Sequence, residues 1–231
     1  SVELFQSNLK TKILGKKIFY YASTKSTNSD IWTLFKKEKN EGFVVIANEQ
    51  LHGKGRGNKQ WYSTKNKSII CSFLIKQKFS KEKLGVHSLL VSVGIMSGIK
   101  KIANECFSIK WPNDILFENK KLCGILIETK TIKNTVYLNV GFGINVNENH
   151  SDFPLQIKNN ATSVKIASNN DIQREVLLAK ILNAIDNLLV SKNENDILTS
   201  WMKSCCHVNK EICVKYKNNF INAKFKKINE N

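Results

Sequence analysis

Apolar positions along the chain fall into two patterns. Continuous runs of strand length appear at 42–47 (Gly-Phe-Val-Val-Ile-Ala), 68–75, 107–111, 122–128 and 136–146, rich in β-branched and aromatic residues. The last two lie a hairpin's distance apart. Helical spacing appears in Ile31, Trp32, Leu34 and Phe35, behind Ser26-Thr27-Asn28 as a start signal, and again from His87 to Ala103. A long helix is predicted behind Asp171 as cap, with apolar positions at Val176, Leu177, Ile181, Leu182, Ile185, Leu188 and Leu189. A second helix follows at 196–204, while 148–170 is mostly polar and reads as loop. Short strands at 212–216 and 220–225 look like a different, smaller unit. The order predicts an α+β fold, a mixed and mainly antiparallel sheet backed by helices. The expected division is a main domain over residues 1–206 and the start of an incomplete small C-terminal β-domain over 207–231.

Composition narrows the class. The 231 residues are 42% hydrophobic and 24% charged, a globular balance that excludes collagen-like and wholly disordered chains. No apolar run approaches the roughly 18 residues that would cross a bilayer. Ser1-Val2-Glu3-Leu4-Phe5 has the pattern of neither a signal nor a transit peptide, and no initiator Met is present, as in a trimmed or processed form. The formal net charge of +17 invites a polyanion partner. However, Arg56 and Arg174 are the only arginines, whereas nucleic-acid surfaces favour the guanidinium for phosphate and guanine. The Lys excess is spread along the chain with abundant Asn and argues against such a surface. Six cysteines occur without a C-x-x-C pair, as expected of free thiols in a reducing compartment. Cys205-Cys206 with His207 would be a metal pair only if a second ligand pair joined it.

Four segments concentrate unusual residues. In Gln50-Leu51-His52-Gly53-Lys54-Gly55-Arg56-Gly57-Asn58-Lys59-Gln60-Trp61, glycines interleaved with cations suit close approach of backbone N–H groups to an anion. The pattern is neither a Walker loop nor a dinucleotide fingerprint, and on its own it reads equally as a flexible basic loop. Lys110-Trp111-Pro112-Asn113-Asp114 ends a strand in a rigid turn, where a carboxylate beside a cation suits Mg²⁺ and phosphate. The bland alternative is a polar turn with Trp111 in the core. Lys121-Leu122-Cys123-Gly124-Ile125-Leu126-Ile127-Glu128 and Val140-Gly141-Phe142-Gly143-Ile144-Asn145-Val146-Asn147 are strands notched by glycine, as beside a flat ligand or at a bulge.

Taken in this order, S-T-N, Q-x-x-G-K-G-R-G, K-W-P-N-D, K-L-x-G-I-L-x-E and G-x-G-I-N-V-N resemble the biotin–protein ligases (holocarboxylase synthetases). The resemblance runs from about Thr24 to Val146, and more loosely through Ala161-Thr162-Ser163 and the long helix. It implies a class II synthetase-like catalytic domain and a two-step reaction. Biotin and Mg·ATP give biotinyl-5′-adenylate and pyrophosphate, and the adenylate then acylates one lysine of a biotin carboxyl carrier domain. On that resemblance Ser26, Thr27, Asn28, Gln50, Gly53 and Gly55 belong to the biotin pocket, floored by Gly124, Gly141 and Gly143. Lys54, Arg56 and Lys121 would gather the biotin carboxylate and α-phosphate, with Asp114 completing the catalytic set and facing Mg²⁺. Trp61, Lys110, Asn113 and Asn145 would line the nucleotide half.

The family's attack of a carboxylate on a phosphate needs cations rather than an enzyme nucleophile. That agrees with the lack of a convincing Ser-His-Asp or Cys-His set. The resemblance also implies that the loop at 54–58 closes over the intermediate. Cys123 stands where the family commonly has a smaller apolar residue, and no DNA-reading domain is expected, since so few residues precede Ser26. A cytoplasmic or organellar location fits the thiols, and a strand edge allows a homodimer. Two rival readings are a lipoate–protein ligase, whose R-R-x-x-G-G-G segment is missing, and a basic nucleic-acid-binding module.

Overall fold

The computed structural model describes residues 2–77, 84–217 and 219–228; Ser1 and residues 229–231 of the expected terminal segments lie outside the described residues. Helices α1 (Val2–Asn8), α2 (Thr27–Glu38), α3 (Val86–Lys100), α4 (Val164–Ser168), α5 (Arg174–Ser191) and α6 (Glu194–Ser204) surround the strands. The main sheet contains β1 (Lys17–Tyr21), β2 (Phe43–Ala47), β5 (Ile69–Lys76), β6 (Phe107–Lys110), β7 (Asp114–Phe117), β8 (Lys120–Ile132) and β9 (Thr135–Ile144). Its order is β1-β2-β5-β9-β8-β7-β6, with β1–β2 parallel and the other pairs antiparallel. Two separate hairpins complete the chain: β3 (Gly53–Lys54) with β4 (Gln60–Trp61), and β10 (Glu211–Tyr216) with β11 (Asn219–Lys224).

The sheet separates a large core from the site by strict alternation. On one face Cys71, Phe73 and Ile75 of β5, Cys123 and Ile125 of β8, and Leu138, Val140 and Phe142 of β9 pack in the core that contains α3, α5 and α6. On the other face α2 lays Ile31 and Phe35 against Phe43, Val45 and Leu74. On the rest of that second face Ser72, Gly124, Glu128, Asn139, Gly141 and Gly143 are polar or lack a side chain, with Ile70 and Leu126 as their apolar strand neighbours. The face is therefore only partly covered by α2, and the rest is left for chemistry.

Two tight turns set the register. Glu118-Asn119 joins β7 to β8 and Lys133-Asn134 joins β8 to β9, with positive φ at both residues of each pair, as primed two-residue hairpins require. The second turn places Gly124 opposite Gly143, Leu126 opposite Gly141 and Glu128 opposite Asn139.

Several expectations shift. The long helix starts at Arg174 with Gln173 as its cap, and Asp171, two residues earlier, pairs instead with Lys165 Nζ at 2.8 Å. The following helix begins at Glu194, where Asn193 Oδ1 accepts the Asp196 N–H. The polar stretch after Glu148 contains α4, capped by the Ser163 hydroxyl. Trp111 is 42% exposed rather than core, since Pro112 ends β6 and β7 begins at Asp114. The N-terminal segment is held to α5 by Asp186, whose carboxylate accepts the backbone N–H groups of Lys12, Ile13 and Leu14 at 2.6–2.8 Å. The C-terminal hairpin is tied back through Phe225, whose ring centroid lies 6.3 Å from that of the buried Trp201. Strand β11 is exposed along its length.

Candidate active site

A cavity of about 640 Å³ opens on the sparsely covered face of the sheet. It is lined by every residue that the resemblance assigned to the biotin and nucleotide sites except Gly53, whose buried backbone lies at the base of the β3–β4 hairpin. The cavity has two chemically different halves.

At one end, the N-terminus of α2 presents Ser26, Thr27 and Asn28, each no more than 6% exposed. Gln50 Oε1 accepts the Thr27 backbone N–H at 2.9 Å. The Thr27 hydroxyl lies 2.7 Å from Ser72 Oγ, and Ser72 Oγ donates to Asn28 Oδ1 at 2.8 Å. Asn28 Nδ2 in turn faces Glu128 Oε2 at 3.4 Å. Trp32 Nε1 and Asn139 Nδ2 donate to the same carboxylate oxygen, each at 3.1 Å. Sequence reading missed Ser72, Glu128, Asn139 and Trp32. Ser72 and Asn139 are hidden inside apolar strands, although the hairpin register about Lys133-Asn134 is itself enough to put residue 128 opposite 139.

The glycine notches are occupied by protein as well as lining the cavity. A Cβ at Gly141 would fall 1.7 Å from Asn28 Oδ1, and one at Gly143 would fall 2.3 Å from the Trp61 indole. Gly124, facing Gly143 across the hairpin, gives the same indole its other support. These strands carry glycine because side chains from α2 and from the β3–β4 hairpin lie directly on the backbone. The indole Nε1 is buried without a hydrogen-bond partner.

The other half is cationic. The β3–β4 hairpin carries Lys54 and Arg56 on exposed backbone outside the main sheet, and Lys54 Nζ donates to Ser29 Oγ at 2.9 Å. Lys121, at the start of β8, places Nζ 2.7 Å from Asp114 Oδ1 and 5.7 Å from the Trp61 ring centroid. Lys110 contributes a further exposed ammonium. Asn113 Nδ2 reaches back to the Ile125 carbonyl at 2.9 Å and so clasps β7 to β8. Asn145 Nδ2 donates to the Thr162 carbonyl at 2.9 Å and lies 3.4 Å from the Lys121 carbonyl, which fixes the start of the strand bearing Lys121.

Electrostatically this end is built for anions. Five basic side chains, Lys54, Arg56, Lys59, Lys110 and Lys121, line it against one acidic residue, Asp114. A hard divalent cation needs few protein ligands when phosphate oxygens complete its shell, so the donor set fits a metal arriving with phosphates at Asp114. Among the described residues no group of three His, Cys, Asp or Glu side chains is arranged to hold a metal, and this includes the segment of Cys205, Cys206 and His207. Cys71 and Cys123 are fully buried, and burial pushes both thiols far up from their ordinary range, so neither serves as a nucleophile. No helix among the described residues is long and apolar enough to cross a membrane.

Comparison with known proteins agrees with this geometry. Residues 20–145 match the model of the biotin/lipoate A/B protein ligase family. The bifunctional ligase/repressor BirA of Bacillus subtilis is 33% identical over 192 residues, covering 83% of this chain and 58% of its own length. The human biotin–protein ligase is 24% identical over 224 residues, and the match spans 92% of this chain but only 31% of that protein. The biotin protein ligase of Aquifex aeolicus, solved with biotin and ATP, superposes with a TM-score of 0.80 at 26% identity, covering 93% of this chain and 89% of the other. The matched segment contains the cavity's polar end, its cationic hairpin and both glycine-notched strands, and on these grounds the chain belongs to the biotin/lipoate A/B protein ligase family.

Proposed function

We propose that the chain is an ATP-dependent biotin–protein ligase that forms biotinyl-5′-AMP from biotin and MgATP and transfers biotin to one lysine of a biotin carboxyl carrier domain. The observation that carries the reading is one cavity with a hydrogen-bonding end at Thr27 and Gln50 and a cationic end at Lys54, Arg56, Lys110 and Lys121. Biotin has the matching polarity, a urea at one end and a carboxylate at the other.

Attack of the biotin carboxylate oxygen on the α-phosphorus brings two anions together and expels pyrophosphate. Lys54, Arg56 and Lys121 offset that repulsion and take up charge on the phosphoryl oxygens. Asp114, paired with Lys121, would hold the metal that accompanies ATP, which would supply further positive charge to the phosphates. In the second step the acceptor lysine, as free amine, attacks the mixed anhydride at the acyl carbon, and AMP leaves. The exposed β3–β4 hairpin is suited to fold over the anhydride and keep water away.

The finer assignments belong to the same proposal. Its supports are six unpaired thiols for a reducing, cytoplasmic or organellar location, and the β10–β11 hairpin, separate from the main sheet, for a β-unit beginning at residue 207. A homodimer would use the sheet edge at β1, because the β6 edge is already bridged at Ile109 by Cys205.

The test is incubation of the chain with labelled biotin, MgATP and a carrier domain, followed by location of the modified residue. One acylated carrier lysine, dependent on ATP, is the expected result. Labelling by lipoate or octanoate in preference to biotin would overturn the choice of substrate.

A further inference from the structure

The hydrogen-bonded chain beneath the polar end has a direction, and its direction is set at Glu128. A carboxylate only accepts, and Glu128 Oε2 collects N–H groups from Trp32, Asn139 and Asn28. Asn28 must therefore turn Nδ2 toward Glu128 and Oδ1 toward Ser72. Asn139 holds the same helix start from below, since Nδ2 also donates to the Asn28 backbone carbonyl at 2.8 Å. Ser72, wholly buried, has one proton and gives it to Asn28 Oδ1.

The 2.7 Å contact between Ser72 Oγ and Thr27 Oγ1 then needs its proton from Thr27. The competing acceptor, Gln50 Oε1, is 3.3 Å away and already takes the Thr27 backbone N–H. The shorter contact wins the single hydroxyl proton. Thr27 Oγ1 is left with lone pairs only, on the wall of the cavity.

We infer that Glu128 is a positioning residue which, through Asn28 and Ser72, fixes Thr27 Oγ1 as an acceptor and thereby selects a ligand that presents an N–H at this point. The inference rests on the proposed biotin site, where the matching group is a urea N–H. It extends that reading to Glu128 and Ser72, which do not line the cavity.

Glu128→Leu removes the acceptor at nearly the same volume. The expected result is a biotin KM raised about tenfold or more in pyrophosphate release, the usual scale for one misdirected hydrogen bond, with ATP KM and kcat near the parent values. Glu128→Gln, which keeps an acceptor oxygen, should recover most of the loss. A merely structural role would instead lower the active fraction, reducing apparent kcat with KM unchanged, and that result overturns the inference. Ser72→Ala breaks the chain one step nearer the ligand and decides the matter if Glu128→Leu does not fold. For Ser72→Ala the loss should fail to add to that caused by methylating one of the two urea nitrogens of biotin. Additive losses for both methylated analogues contradict the assigned polarity. A parent chain that binds no biotin overturns the functional reading itself, whereas a binding parent with variants of unchanged biotin KM overturns only the positioning role.

Discussion

The indole of Trp61 rests on the backbone of Gly143, so closely that a Cβ at that position would stand 2.3 Å from the ring nitrogen. A residue of the cationic hairpin is thereby docked on the strand that floors the cavity. Gly143→Ala should force the ring away and disturb the hairpin bearing Lys54 and Arg56. The expected stability cost is about 1–3 kcal/mol. Affinity for biotin plus ATP should fall about tenfold or more, read by ligand titration of tryptophan fluorescence. Unchanged affinity would show that the docking does not matter to the site.

Lys121 and Asp114 form a half-exposed ion pair at 2.7 Å. Such a pair adds little to folding, so Lys121→Ala should leave the thermal midpoint nearly unmoved. Adenylate formation, followed as pyrophosphate release, should nevertheless drop by about 10²-fold or more if Lys121 meets developing charge. A parental rate of release would remove Lys121 from the reacting centre.

Arg56 lies exposed on the hairpin that borders the cavity. Arg56→Gly should weaken retention of the adenylate, so that a reactive anhydride escapes and labels surrounding lysines indiscriminately. Mass spectrometry of a bystander protein in the reaction measures this directly. A variant that confines label to the carrier lysine would contradict the assignment of the loop.

Glu148 is buried behind the site, beside Ser68, with one carboxyl oxygen unpartnered. Burial pushes its pKa up from the ordinary 4.5, against the Ser68 hydrogen bond that draws it down. The fold thus disfavours the charged form relative to the unfolded chain. Below 4.5 both folded and unfolded chains hold the proton, and nothing is lost. As pH rises through that value the unfolded chain ionises first, and folding stability falls until the folded group also ionises. Glu148→Gln should therefore be more favourable relative to the parent at pH 7 than at pH 4, in denaturant titrations. Equal differences at both pH values would rule out this origin.

Much of the architecture is legible in the sequence because burial on the helix-covered face imposes continuous or alternating apolar runs. β2, β5, the β8–β9 hairpin and α3 fall close to their expected places. What escaped has little apolar signal or follows a misleading breaker. β1 is a short edge strand, α1 buries only Phe5, and β7 resumes directly after a proline that reads as the end of a sheet segment. The glycine and lysine motifs marked the cavity because their composition is unusual. The Glu128–Asn28–Ser72–Thr27 chain stayed hidden because one buried Ser or Asn in a strand looks like a weak apolar position until a cross-strand register supplies its partner.

The most direct test of the account is a crystal structure of the chain with biotin and a non-hydrolysable ATP analogue. The account predicts the urea against Thr27 and Gln50, and the carboxylate and α-phosphate together among Lys54, Arg56 and Lys121. A cavity left empty at saturating ligand, or biotin bound with its carboxylate at the Thr27 end, would contradict it.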